Sequence, residues 1–139
     1  LLKLGQFMAG LGAKESHNDY QLVSKISGAF GKYQTLPASW EKWSVQFFGT
    51  VVDWHDEKNQ ERIVGWKLQQ RLAWFRAGFP EESSVRIFQR LAAWWLSPAI
   101  SDADDPVTEW SAHLKDYVLD IGAILNKKGY EGWTEIATS

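Results

Sequence analysis

The sequence predicts a mainly α domain of about five or six helices, with one irregular or hairpin segment near residues 16–36. Apolar residues recur three and four positions apart through most of the chain, the spacing that gathers side chains on one helix face. Prolines and glycines fall at the edges of these segments, where proline opens a helix and glycine closes it. Turn-forming residues cluster in the one stretch where the helical period lapses.

Residues 1–15 read as a first helix, because Leu4, Phe7, Met8 and Leu11 occupy i, i+3, i+4 and i+7. Residues 16–36 carry Ser16, Asn18, Asp19, Ser24, Ser27, Gly28 and Gly31, the chemistry of loops and short hairpins. Pro37 opens a second helix with Trp40, Trp43, Phe47 and Phe48, closed by Gly49. A long helix near 57–77 follows, with Val64, Leu68, Leu72 and Phe75 in one stripe and Gly78 as its stop. Pro80, Glu81 and Glu82 have the signature of the next helix start, and that helix carries Val85, Phe88, Leu91, Ala92 and Trp95. On this stripe Trp95 points inward, and Trp94, one position off, faces a groove. The polar run from Ser101 to Pro106 leads to a cap at Asp105, with Pro106 as the first residue of a final helix. That helix buries Trp110, Leu114, Tyr117, Val118, Ile121 and Leu125, and Lys127, Lys128 and Gly129 close it.

The length, 139 residues, is that of one domain with a substantial core. The absence of cysteine excludes disulfides, thiolate metal sites and a cysteine nucleophile. A net charge of −2 argues against a protein that mainly grips nucleic acid, which needs a basic excess to displace counterions. No apolar run has the length of a membrane span, and no secretory signal is visible. The chain begins at Leu1 rather than Met, as a trimmed or excised domain does. Nine tryptophans read first as core and groove wall, and their flat rings also stack on sugar faces.

Glu15 continues the first stripe, four residues beyond Leu11. A buried carboxylate without a partner holds its proton, the state a general acid needs at neutral pH. The plain alternative is a helix that frays near Gly12 and leaves Glu15 solvated. Gly28-Ala29-Phe30-Gly31-Lys32-Tyr33-Gln34 lacks the second half of a phosphate-binding loop, so nucleotide binding is rejected. It is a glycine-rich turn with a packed tyrosine, or an opening that sets a phenol and an amide beside a ligand. His17, His55 and His113 form no metal-binding pair. Asp102, Asp104 and Asp105 lack the glycine and closing glutamate of a calcium loop. Asp53 and Asp56 flank His55 without a nucleophile motif.

Four segments in register resemble the soluble lytic transglycosylase and lysozyme-like superfamily, in its short phage or actinobacterial type. They are Glu15-Ser16, then Ser27 to Gln34 followed by Leu36-Pro37-Ala38-Ser39-Trp40, then Ala92-Ala93-Trp94-Trp95-Leu96-Ser97-Pro98, and finally Tyr117-Val118. The sequence departs from the pattern at Trp94 and Trp95, where tyrosine, asparagine or tryptophan-tyrosine is usual, and at Ser97, which replaces a glycine.

The resemblance implies a lysozyme-like helical fold with a cleft for a peptidoglycan strand, acting at the MurNAc–GlcNAc bond. Glu15 would be the catalytic acid and then base, and the product an anhydro sugar. Ser16 would orient Glu15 or the substrate's acetamido group. Gly31 and Gln34 would hold the sugar, Tyr33 and Trp94 would wall the cleft, and Tyr117 would hydrogen-bond Glu15. No metal or organic cofactor is implied, and no motif picks out a second carboxylate; Asp19, Glu41 and Asp53 are candidates only by proximity. The implied setting is a monomer at the cell wall, extracellular, periplasmic or virion-associated. A goose-type hydrolytic lysozyme and a non-cleaving glycan-binding module of a phage tail or secretion machine are the rival readings.

Overall fold

The computed structural model describes residues 2–98 and 104–130. It is mainly helical, with α1 at Leu4–Ser16, α2 at Pro37–Phe48, α3 at Glu57–Gly78, α4 at Ser84–Leu96 and α5 at Ala112–Lys127. Among the described residues the only β pairing is two isolated bridges, Val23 with Phe30 and Phe30 with Thr35. The segment after α1 is therefore irregular rather than a hairpin.

Helix α1 does not fray at Gly12. His17 and Asn18 both take left-handed backbone, φ 55° and 63°, and their amides donate to Ala13 and Gly12 carbonyls at 3.1 Å. The end of the helix is thereby fixed, with two of its orphan carbonyls satisfied. Gly10, one turn earlier, allows α1 to approach α5, since a Cβ there would lie 2.8 Å from Leu125 Cδ2.

Helix α2 begins at Pro37 as expected and ends on Gly49 at φ 78°. Its Phe47 is exposed and Phe48 only half-buried, so Trp40 and Trp43 carry its inward face. Helix α3 is capped by the Asp56 side chain, which accepts from the Lys58 amide at 2.9 Å.

The next two helices start later than their proline signals predicted. Pro80 to Glu82 form a turn, and Ser83 caps α4 by accepting from the Arg86 amide at 3.2 Å. The acidic residue at 82 serves tertiary structure instead: Glu82 accepts from Arg90 Nε and a terminal nitrogen at 2.7 and 2.6 Å. Arg90 also donates to the Asp105 carbonyl at 2.9 Å, tying the turn before α4 to the segment before α5. Asp105 and Pro106 do not start α5. A 3-10 turn, Val107–Glu109, intervenes, and Ser111 caps α5 through the Leu114 amide at 3.1 Å. Trp110 is buried ahead of the helix rather than on it. Ser101, Asp102 and Ala103 lie outside the described residues.

The core is one cluster to which all five helices contribute, with α4 packed against both α3 and α5. Every residue of α4 from Ile87 to Trp94 is buried. Burial of α4 thus extends beyond its apolar stripe to Gln89 and Arg90. The expectation for its tryptophans holds only in part: Trp94 borders a cleft yet is 9% exposed and belongs to the core, and Trp95 is only partly buried.

Candidate active site

The irregular segment between α1 and α2 is held in shape by one side chain of α3. Gln60 Nε2 donates to the carbonyls of Tyr20 and Trp54 at 2.9 and 2.7 Å, and Gln60 Oε1 accepts from the Lys32 amide at 2.9 Å. Gly31 sits against this amide at φ 81°, and a Cβ there would collide with it. Gly31 is thus required by packing, and no sugar contact follows from its position.

Tyr33 is likewise interior. It is 1% exposed, its hydroxyl donates to Glu61, and Lys32 Nζ stands 3.5 Å from the same carboxylate. Burial and the neighbouring carboxylate raise the Tyr33 phenol far above its ordinary value. Its ring therefore does not wall the cleft as the resemblance implied. Only its backbone carbonyl meets the site's surroundings, accepting from Trp95 Nε1 at 3.0 Å. Ser16 is also buried, donating to the Lys32 carbonyl at 2.6 Å and accepting from the Asp19 amide at 3.0 Å. Its hydroxyl fastens the loop to α1, and it is not among the residues that line the cleft.

A cleft of about 420 Å³ opens where the end of α1, the irregular segment, α2 and α4 converge. Trp43, Trp94 and Trp95 supply its aromatic lining, with Trp43 and Trp94 near-parallel at 6.5 Å and 24°. Ser24, Ser27, Gln34, Thr35 and Ser39 supply uncharged polar groups. Gln34 holds a left-handed φ of 53°, and its amide donates to the carbonyls of Leu22 and Gly31 at 3.1 and 3.0 Å. Of the predicted residues, Glu15, Gln34 and Trp94 line this cleft. Trp43, Trp95 and the serines of the lining were not singled out for it by sequence.

Among the described lining residues, Glu15 is the one ionisable side chain. Asp19, Glu41 and Asp53 do not line the cleft. Asp53 instead pairs with His55 at 2.9 Å on the surface, which lowers its pKa. The Glu15 carboxyl is raised above the usual carboxylate range, first by burial; the hydrogen bond from Tyr117 and the charge of Lys14 oppose that rise. Tyr117 donates its O–H to Glu15 Oε2 at 3.0 Å, from a phenol itself raised well above its ordinary value by burial and by the carboxylate. Lys14 is drawn away to Asp120 at 2.8 Å. Glu15 also stands on the last turn of α1, whose negative dipole end disfavours a second negative charge.

Among the described residues, no group of three or more His, Asp and Glu side chains is placed to hold a metal, and no helix is long and apolar enough to cross a membrane. No protein-family model, no curated protein and no solved structure matches this chain. What the site can do follows from its geometry: an acid biased toward its protonated form at the edge of an aromatic, otherwise uncharged cleft.

Proposed function

We propose that this chain is a lytic transglycosylase of lysozyme-like fold, cleaving the MurNAc–GlcNAc bond of peptidoglycan. The observation that carries the reading is Glu15, a carboxyl with raised pKa, the one ionisable side chain among the described lining residues and held by Tyr117. Stacked tryptophans suit the apolar faces of sugar rings, and the serine, threonine and glutamine groups suit their hydroxyls.

In this reading Glu15 gives its proton to the glycosidic oxygen as the C1–O bond of the muramic acid breaks. Positive charge at C1 is taken up by the carbonyl oxygen of the sugar's own acetamido group. Glu15, now ionised, removes the proton of the C6 hydroxyl, whose oxygen closes on C1 and releases the acetamido group. The carboxyl ends protonated, as it began. A glycosidase of the two-carboxylate kind needs a second acid at a set distance, and the cleft lining offers none among the described residues. That favours the anhydro product over hydrolysis.

The test is mass spectrometry of the fragments released from purified cell wall. Anhydro ends are expected. Reducing ends would replace this reading with a hydrolytic lysozyme, and no release would replace it with a glycan-binding module.

A further inference from the structure

The cleft does not end at its tryptophans. Trp94 also lines a second pocket, of about 240 Å³, together with Lys67, Gln70, Arg71 and Trp74. Trp43 touches both sides as well, since it lines the cleft and Lys67 Nζ lies 5.7 Å from its ring. The stacked Trp43 and Trp94 thus form a common wall. Among the described residues, the lining holds a single ionisable group on one side and two cations on the other.

The two cations differ in what they already bind. Arg71 is committed: it donates to Asp104 at 3.2 Å and lies 3.9 Å over the Trp74 ring. Lys67 is not. Its hydrogen-bond partners among the described residues are the amide oxygens of Gln46 and Gln70, at 2.9 and 3.2 Å, and no described carboxylate stands within ion-pair distance. Burial and the nearby charge of Lys42 both lower its pKa, so its ammonium sits in surroundings that favour arrival of an anion. Trp74, 48% exposed, offers an apolar face beside it.

We propose that this pocket receives a carboxylate of the peptide stem carried by the glycan, with Lys67 as its cation and Trp74 as the apolar wall beside it. The inference rests on the glycan reading of the adjoining cleft. One ammonium without a described carboxylate partner matches one carboxylate. The separation from the cleft is a single layer of tryptophan, within reach of a substituent on a sugar bound there. Gln46 and Gln70, released from the ammonium, are free to accept from stem amides.

The experiment uses intrinsic tryptophan fluorescence on a Glu15→Gln background, so that ligands stay uncut. Soluble glycan strands with intact stems are titrated beside strands stripped of stems by an amidase and then methyl-esterified at the lactyl carboxylate that the cut exposes. Stem-bearing strands are expected to bind about tenfold more tightly, the scale of one charge-assisted hydrogen bond. Lys67→Gln should erase that preference and leave the affinity for stripped strands unchanged; Lys67→Arg should keep most of it. Equal binding of the two strands by the parent overturns the proposal, as does a Lys67→Gln variant that weakens both alike. Failure to bind even stripped strands would overturn the glycan reading itself.

Discussion

Glu15 and Tyr117 set each other's protonation, and their coupling has a sign that solution measurements can read. Folding raises the Glu15 pKa, so the folded chain holds this proton more tightly than the unfolded chain does. The associated stability is complete below the unfolded value and is lost as pH rises toward and through the folded one. Above the unfolded value the Glu15 carboxyl is therefore a net cost to the fold. Glu15→Gln should melt at or above the parent temperature at pH 7, while cell-wall clearance falls by about 10²-fold or more, the usual scale for a general acid. A clearly lower melting temperature would show that the ionised carboxylate is better satisfied than its burial indicates. Tyr117→Phe isolates the hydrogen bond. It removes the main influence that lowers the Glu15 pKa, so the alkaline limb of the pH–activity profile should move to higher pH. A profile that stays in place would mean that the bond at 3.0 Å does not govern the proton.

At the scale of elements, α4 and the loop held by Gln60 bear the clearest consequences. Trp94 lies in the core and Trp95 is half-buried, so truncating them should differ in the order opposite to what the apolar stripe suggests. Trp94→Ala should cost about 3–5 kcal/mol of stability, the range for a buried aromatic. Trp95→Ala should cost less, the loss of a partly buried ring and of its bond to the Tyr33 carbonyl, while weakening glycan binding. Denaturant melts with a fluorescence titration separate the two effects, and equal costs would contradict the packing described. Gln60→Ala strands the Lys32 amide and the Tyr20 and Trp54 carbonyls together, and should destabilise by about 2 kcal/mol or more. A shift under about 0.5 kcal/mol would mean that water replaces the amide without penalty.

The helices themselves were legible because each carries a 3.6-residue period, and Pro37 and Gly49 bound α2 where such residues should. The start of α4 was misread because a proline followed by acidic residues is a local signal, whereas Glu82 is committed to Arg90, eight residues on; that of α5 was misread because Asp105-Pro106 leads into a 3-10 turn instead. The true caps, Ser83 and Ser111, are ordinary serines whose role appears only once the amides of Arg86 and Leu114 turn toward them.

For the molecule as a whole, the candidate site divides into a part visible in the chain and a part made by folding. The end of the α1 stripe pointed to Glu15, and the resemblance brought in Tyr117, Gln34 and Trp94. Tyr33, Ser16 and Gly31 came with the same motifs, yet they hold the loop's architecture, through Glu61, the Lys32 carbonyl and Gln60 respectively. A motif records which residues travel together and does not separate those that face a ligand from those that hold its walls in place. The serine and tryptophan lining was illegible because it is gathered from segments as far apart as Ser24 and Trp95. Stability at whole-chain level should follow the Glu15 proton: the parent should lose more stability than Glu15→Gln between acidic and neutral pH. Parallel stability curves for the two proteins would remove Glu15 as the cause.

The hydrogen bond from Tyr117 to Glu15 spans 102 residues of chain. The pair is thus assembled from the first helix and the last. A chain that has yet to dock its final helix carries Glu15 without the phenol that tunes its proton. On the proposed function, full cell-wall clearance should then require α5 to be docked on α1. In a refolding experiment, recovery of clearance should lag the return of helical signal and coincide with the docking of α5 on α1.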